Sequence, residues 1–235
     1  SGKRIIGTPA VSEGIVVFGS ADRNIYGLNA ENGQLLWKVV AQEPVIGAVT
    51  IDNGLAYVGA SDHTFRAIDI HTGKVIWSYD KVKGYIETKP LITENKVIFG
   101  AWDNTLYALD KNDGKEIWKW TGGLTRMHFS PAAVWPVAAE GKVFIADPQR
   151  ALTAIDLENG KTVWRTFESQ VRETVGLSEN GKQIYSKTMN DSIVCFATQG
   201  DEPKKLWASN VGFGYEHAPS MPQEKEGVMY GSTKE

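Results

Sequence analysis

Cysteine is almost absent from this chain, since Cys195 is the only one among 235 residues. A single cysteine excludes an internal disulfide and a zinc site built from cysteine thiolates. It is compatible with a reducing compartment and equally with an exported protein that avoids thiols. The cysteine content therefore does not decide between a reducing compartment and export.

Long apolar runs and excess charge of one sign are also missing. No run approaches the roughly 18 residues that a membrane-spanning helix needs, so we predict no transmembrane segment in this chain. The 25 Lys and Arg residues nearly balance the 28 Asp and Glu residues, for a net charge of -3, and the basic residues form no cluster. Because a nucleic-acid partner requires a positive stripe along its phosphates, we expect no such partner.

What the chain does contain is a repeated unit, which is clearest from Gly59 to Trp77. This stretch has an alternating strand, a Thr-Gly turn and a second strand that ends in tryptophan, which is the pattern of a β-hairpin. Similar sequence returns four times, and the five closing tryptophans stand 40, 41, 46 and 43 residues apart, at Trp37, Trp77, Trp118, Trp164 and Trp207. A period of this length with about four short strands per repeat is typical of propeller blades.

We therefore predict an all-β fold, a β-propeller of four-stranded antiparallel blades that forms a single domain over residues 1–235. The predicted blades cover about 7–40, 45–80, 87–121, 128–167 and 172–209, with a partial blade at 216–235. Ser1 to Ile6 aligns with Thr72 to Trp77, so it is predicted to be the closing outer strand of a further blade. We expect six blades, or seven or eight if the chain is part of a larger ring, and we expect a monomer that belongs to a longer chain.

The repeated motif Ala-x-Asp-x-x-Thr-Gly-Lys-x-x-Trp resembles the repeat of the quinoprotein (PQQ-like) β-propellers. It is complete at Ala67, Asp69, Thr72, Gly73, Lys74 and Trp77, and recurs with small changes at Ala108 to Trp118 and Ala154 to Trp164. The resemblance implies six to eight blades, with the tryptophans docked between adjacent blades. We interpret the five tryptophans as structural residues rather than as a platform for a sugar or a quinone.

The resemblance to quinoproteins does not extend to their active site. Quinoprotein dehydrogenases resemble one another in an adjacent cysteine pair and an acidic cluster that binds calcium or a lanthanide. Cys195 alone excludes the pair, and no loop carries a matching acidic cluster. The four histidines, His63, His71, His128 and His217, lack the short spacing of a zinc motif. We predict no catalytic residue, no metal site and no PQQ cofactor.

One set of polar positions stands out when the blades are aligned on the proline of the innermost strand. The position three residues before it holds Ile6, Val45, Glu87, His128, Arg172 and Glu216. Because innermost strands line the channel of a propeller, we predict that these residues ring one channel mouth, with Tyr85, Arg126, Tyr215 and His217 nearby. This mouth is the candidate binding site. The alternative is a hydrated rim whose charges pair with one another.

The resemblance extends to the propeller lipoproteins of outer-membrane assembly and to accessory propellers of larger bacterial proteins. It implies a non-catalytic scaffold that binds a protein partner or a small polar ligand, located in the periplasm or at the cell envelope. A second interpretation is the accessory domain of an enzyme, either a calcineurin-like phosphoesterase or a degenerate quinoprotein.

Overall fold

A computed structural model of the chain describes residues 1–122, 134–147, 149–212 and 221–231. Within these ranges every regular element is a β-strand, which confirms the all-β prediction. The chain is divided into two compact units, Ser1–Thr121 and Gly122–Glu235.

The first unit contains three four-stranded sheets. Their strands are β1 (Ala10–Ser12), β2 (Ile15–Ser20), β3 (Asn24–Asn29) and β4 (Leu35–Val40), then β5 (Thr50–Asp52), β6 (Leu55–Gly59), β7 (Phe65–Asp69) and β8 (Val75–Tyr79), then β9 (Leu91–Ile92), β10 (Lys96–Gly100), β11 (Thr105–Asp110) and β12 (Glu116–Thr121). In each sheet the strands pair in sequence order and antiparallel, as predicted for the blades.

The second unit contains two sheets of the same kind and a separate hairpin. Its strands are β13 (Val137–Ala139), β14 (Lys142–Ala146), β15 (Leu152–Asp156) and β16 (Thr162–Thr166), then β17 (Val171–Leu177), β18 (Gln183–Thr188), β19 (Ser192–Ala197) and β20 (Lys205–Asn210), then β21 (Gln223–Lys225) and β22 (Val228–Tyr230). The pair β21–β22 forms a two-stranded sheet among the described residues.

Each core lies between the faces of neighbouring sheets. In the first unit Phe65 of β7 stacks on Phe99 of β10, with ring centroids 4.0 Å apart, and both rings are fully buried. In the second unit the Trp164 ring lies 5.9 Å from that of Phe144 and 6.4 Å from that of Phe196. Stacked and tilted aromatic pairs at these distances add to the stability that buried area provides.

The repeat tryptophans of the first two sheets contact the hairpin of the next sheet. The Trp37 indole N–H donates to the carbonyl of Ile70 at 2.5 Å, and that of Trp77 donates to the carbonyl of Lys111 at 3.0 Å. The turn glycine of each receiving hairpin lies against the indole: a Cβ added to Gly73 would lie 2.8 Å from Trp37, and one added to Gly114 would lie 2.5 Å from Trp77. Glycine is required there by this contact and by its positive φ of 71°.

The tryptophans of the later repeats do not all make the contacts described for Trp37 and Trp77. Trp118 and Trp164 are buried like the first two, with 6% and 5% of their surfaces exposed, whereas Trp207 is 40% exposed. Within the described residues the buried N–H of Trp164 has no hydrogen-bond acceptor. The Thr198 carbonyl, which corresponds to that of Ile70, instead accepts from the Lys142 ammonium at 3.4 Å.

The prediction for Ser1 to Ile6 is wrong, because the structure has no strand there. The Gly2 amide donates to the Asp22 carboxylate at 2.7 Å, and the Arg4 carbonyl accepts from the Ala21 amide at 2.9 Å. These backbone groups bond to the turn between β2 and β3, as the segment before β5 bonds to the turn between β6 and β7. The segment therefore has the contacts of a connection that leads into a first strand, and its likeness to Thr72 to Trp77 is one of sequence only.

Candidate functional site

Two of the predicted channel-mouth residues, Tyr85 and Glu87, lie in the connection between β8 and β9. Hydrogen bonds hold the backbone of this connection on both sides. The Tyr85 carbonyl accepts from the Trp102 amide at 3.0 Å, and the Ile86 amide donates to the Ala60 carbonyl at 3.3 Å. Ile86 is also completely buried. The backbone that carries Tyr85 and Glu87 is therefore held in place by both hydrogen bonds and packing.

The side chains of Tyr85 and Glu87 reach the surface on either side of Ile86. The Tyr85 side chain is 50% exposed, and its ring meets that of His63 in an edge-on contact with centroids 5.3 Å apart. Glu87 is partly exposed. His63, which the sequence pattern left without a role, thus contacts an exposed aromatic residue.

Arg172 lies in the second unit, within β17, and is partly exposed. It follows Val171, which is 2% exposed and donates its amide to the Arg150 carbonyl at 3.0 Å. The order of a buried aliphatic residue and then a charged one is the same as at Ile86 and Glu87. Arg172 therefore follows a buried aliphatic residue, as Glu87 does.

The remaining predicted positions fall into two groups. Five residues lie outside the described residues: Arg126, His128, Tyr215, Glu216 and His217. For the second blade the alignment was wrong by one residue. Val45 is completely buried and contacts Gly19 as Ile86 contacts Gly59, so the residue that corresponds to Glu87 is Ile46.

A recurrent aspartate at the turn between second and third strands was missed by the sequence analysis. The Asp62 carboxylate accepts from the Gln42 amide and the Thr64 amide, both at 3.1 Å, and forms a two-pronged contact with Arg66. Asp22 and Asp103 occupy the same position in their sheets and accept equivalent backbone bonds. Their spacing of 40 and 41 residues, equal to that of the tryptophans, was the signal available in the sequence.

The same arrangement is preserved in the second unit by other residues. Asp147, whose side chain is completely buried, stands two positions earlier in its turn and accepts from the Ala151 amide at 3.2 Å and from the Thr153 hydroxyl at 2.8 Å. Arg165 also pairs with this carboxylate. In the next sheet the Thr188 hydroxyl accepts from two turn amides at 3.2 Å. The sheets therefore share a side-chain hydrogen-bond acceptor at this turn, which need not be an aspartate.

The directions of the pKa shifts indicate that these carboxylates have a structural role. Burial favours the neutral form of Asp62, but hydrogen bonds from Arg66 and from backbone amides outweigh it and lower the pKa of this carboxyl below its ordinary value. Burial and the hydrogen bond to Asp103 raise the pKa of Tyr107 well above its ordinary value. An ionised carboxylate whose oxygens are already bonded is poorly suited to catalysis or to binding a metal ion.

No cluster of three or more His, Cys, Asp or Glu side chains suited to a metal ion occurs among the described residues. In the same part of the chain no helix is long and apolar enough to cross a membrane. The aspartates nearest the candidate site, Asp62 and Asp103, are bonded to their own turns, so these residues do not fit the metal that a quinone cofactor would need.

Comparison with known proteins agrees with this description of the fold. The family model of the outer membrane protein assembly factor BamB matches residues 2–86 and 80–221. Among solved structures, BamB from Moraxella catarrhalis superposes with a TM-score of 0.73 at 20% identity, over 94% of this chain and 66% of that one. The chain thus spans slightly less than two thirds of that BamB. No curated protein sequence matches significantly.

Two further structures show how widely this fold is used. The computationally designed protein Ika8 has a TM-score of 0.78 and 21% identity, over 97% of this chain and 68% of Ika8. The quinohemoprotein alcohol dehydrogenase ADHIIG from Pseudomonas putida has a TM-score of 0.68 and 18% identity, over 89% of this chain and 42% of the enzyme. At such identities the likeness concerns the fold alone. The family match, which spans most of the chain, shows that this protein is a β-propeller of PQQ-like repeats and belongs to the family of the outer membrane protein assembly factor BamB.

Proposed function

We propose that this protein is a non-catalytic scaffold that binds a protein partner through Tyr85 and Glu87 of the first unit. The observation that carries the proposal is the fixed presentation of Tyr85. Its ring is half exposed, lies against His63, and belongs to a backbone that is bonded to two neighbouring turns. A rigid exposed aromatic ring loses little conformational entropy on binding, and tyrosine is enriched among residues that dominate binding energies.

The family supports a protein as the partner. Its model is named for an assembly factor of outer membrane proteins, so we propose a component or substrate of such an assembly process as the partner and the cell envelope as the location. The negative charge of Glu87 favours a partner surface with a basic group over a simple anion. A small polar ligand would also fit Glu87, but it would make less use of the exposed Tyr85 ring.

The repeat tryptophans have a separate, structural role in this proposal. We propose that they dock each sheet on its neighbour, as the contacts of Trp37 with Ile70 and of Trp77 with Lys111 suggest. Docking of this kind would fix the positions of the binding residues. The tryptophans themselves would not contact the partner.

The proposal is tested by photo-crosslinking in cells of the source organism. A photoreactive phenylalanine derivative replaces Tyr85 in the full chain, and in a control it replaces Leu35, which is similarly exposed at 53% in the same unit. We expect one discrete protein adduct from position 85 and none from position 35. With the crosslinked protein purified, Tyr85→Ala combined with Glu87→Ala should weaken binding at least tenfold.

Circular dichroism and the melting temperature must match those of the unchanged chain for each variant. Equal adducts from positions 85 and 35 would remove the support for this site. An affinity that survives the double substitution would show that Tyr85 and Glu87 form only a hydrated rim.

A further inference from the structure

Asparagine is followed directly by glycine in several of the segments that connect consecutive strands. Asparagine is a chemically labile residue, and it reacts most readily before glycine, which has no side chain to hinder attack by its backbone nitrogen on the asparagine side chain. This reaction needs a glycine amide and an asparagine side-chain carbonyl that hydrogen bonds do not hold in place. The pairs concerned are Asn32-Gly33, Asn53-Gly54, Asn159-Gly160 and Asn180-Gly181.

Hydrogen bonds hold both reacting groups at three of these pairs. At the first pair, the Gly33 amide donates to the Asn29 carbonyl at 2.9 Å, and the Asn32 side-chain oxygen accepts from the Gln34 amide at 2.9 Å. The same two bonds occur in the second unit, where the glycine amides donate to the carbonyls of Asp156 and Ser178 and the asparagine oxygens accept from the amides of Lys161 and Lys182.

Asn53-Gly54 lacks both of these bonds. The pair forms the two-residue turn between β5 and β6, and neither the Gly54 amide nor the Asn53 side-chain oxygen has a hydrogen-bond partner among the described residues. The Asn53 side chain bonds only through its nitrogen, which donates to the Asp52 carboxylate at 3.0 Å. Asn53 is exposed, and a Cβ added to Gly54 would meet no atom within 4 Å. Water therefore has access to both reacting groups.

We propose that Asn53 is a site of spontaneous deamidation in the folded protein, and that the other three pairs react much more slowly. The Gly54 nitrogen forms a bond to the Asn53 side-chain carbonyl carbon and closes a succinimide ring. The side-chain nitrogen leaves as ammonia and takes up the proton of the Gly54 amide. Water then opens the ring at either carbonyl and gives aspartate or isoaspartate, so that the reaction consumes only water. This inference is independent of the function proposed for Tyr85 and Glu87.

The products change a turn that supports the contact between two sheets. The Gly54 carbonyl accepts from the Ile70 amide at 3.0 Å, and the Ile70 carbonyl accepts from the Trp37 indole at 2.5 Å. Isoaspartate lengthens the backbone of the turn by one carbon atom, and either product adds a negative charge beside the Asp52 carboxylate. We therefore expect deamidation to weaken the contact of Trp37 with this hairpin and to lower the melting temperature.

The test incubates the full 235-residue chain in water enriched in ¹⁸O at mildly alkaline pH, followed by trypsin digestion in ordinary water. Trypsin places each Asn-Gly pair in a separate peptide, and mass spectrometry measures the ¹⁸O that ring opening adds to each. We expect Asn53 to react at least about tenfold faster than the other three asparagines, because a hydrogen bond of ordinary strength slows by about this factor a reaction that must break it. In guanidinium chloride the four rates should become similar.

Asn53→Glu is the matched control for the effect on stability, because Glu13 and Glu140 occupy the same turn position with φ of 49° and 51°. This variant should keep its melting temperature through the incubation. The unchanged chain should acquire a lower-melting fraction that an isoaspartyl methyltransferase labels.

The inference is overturned if Asn53 reacts no faster than the other asparagines in the folded chain. It is also overturned if Asn53 remains equally ahead in guanidinium chloride, since the hydrogen bonds of the fold would then not be the cause. A melting temperature that falls equally in Asn53→Glu would contradict the expected effect on the turn.

Discussion

At the scale of the residue, the notable feature is how many charged groups serve the fold. Asp62 bonds two backbone amides and Arg66, and only 3% of its side-chain surface is exposed. Similar carboxylates recur at Asp22, Asp103 and Asp147. Asp22, Asp62 and Asp103 also tie their turns to the segment that precedes each sheet.

The depressed pKa of Asp62 predicts a pH dependence of stability. A carboxyl whose pKa is lower in the folded than in the unfolded state, where it is about 3.9, stabilises the fold fully above that value. The contribution is lost as the pH falls through the folded-state pKa. We expect Asp62→Asn to lower the free energy of unfolding by about 1–3 kcal/mol at pH 7, because Arg66 and two amides lose an ionised acceptor.

Urea unfolding at pH 7 and at pH 3 measures this effect. The difference between Asp62→Asn and the unchanged chain should shrink at pH 3, and the exposed Asp80→Asn should change stability little at either pH. A difference that stays the same at both pH values would show that the ionised carboxylate is not what stabilises this turn.

At the scale of the element, the unit of construction is the hairpin with its turn glycine and closing tryptophan. Gly33 and Gly114 occupy the same turn position and have the same φ of 71°. They differ in surroundings, since a Cβ on Gly33 would meet no atom within 4 Å, whereas one on Gly114 would lie 2.5 Å from Trp77. This pair allows backbone strain to be separated from packing between sheets.

We predict that Gly114→Ala destabilises the protein more than Gly33→Ala does. Both substitutions carry the left-handed backbone cost of about 1–2 kcal/mol, and Gly114→Ala adds about 1–3 kcal/mol of overpacking against the indole. Thermal unfolding of the two single variants gives the comparison. Equal melting temperatures would mean that the contact of Trp77 with this turn contributes little.

The tryptophans themselves are expected to differ by their place in the repeat. Trp77 is buried and bonded to Lys111, so Trp77→Ala should cost about 3–5 kcal/mol, the usual range for truncation of a buried aromatic side chain. Trp102 lies outside the repeat register, and its buried N–H has no acceptor among the described residues. Trp102→Ala should therefore have a much milder effect on the melting temperature, and an equal effect would contradict the register.

At the scale of the whole molecule, the family match places this chain among propellers, and one structural neighbour is a redox enzyme. We nevertheless predict that the purified chain neither binds PQQ in stoichiometric amounts nor oxidises alcohols or sugars with it. The reasons are the single cysteine and the acidic side chains near the candidate site, which are bonded to their own turns. Equilibrium dialysis with PQQ and calcium, followed by a dye-linked oxidation assay, tests both parts, and one bound quinone per chain with turnover would refute the prediction.

Much of the fold could be predicted from the sequence alone. The recurrence of the closing tryptophans at intervals near 40 residues indicated repeated four-stranded sheets, and the structure has such antiparallel sheets among the described residues. This worked because the strands of one sheet pair with their neighbours in sequence, so that alternation and turn glycines encode each sheet locally.

The tertiary structure alone decided what joins one sheet to the next. Ser1 to Ile6 matches an outer strand in sequence, yet its backbone bonds to the turn that contains Asp22. Trp207 matches the buried Trp77, yet it is exposed because no hairpin among the described residues covers it. The support of Tyr85 by His63 left no mark in the repeat pattern. Such contacts join residues from different sheets, so their outcome depends on which partner is present rather than on the local pattern.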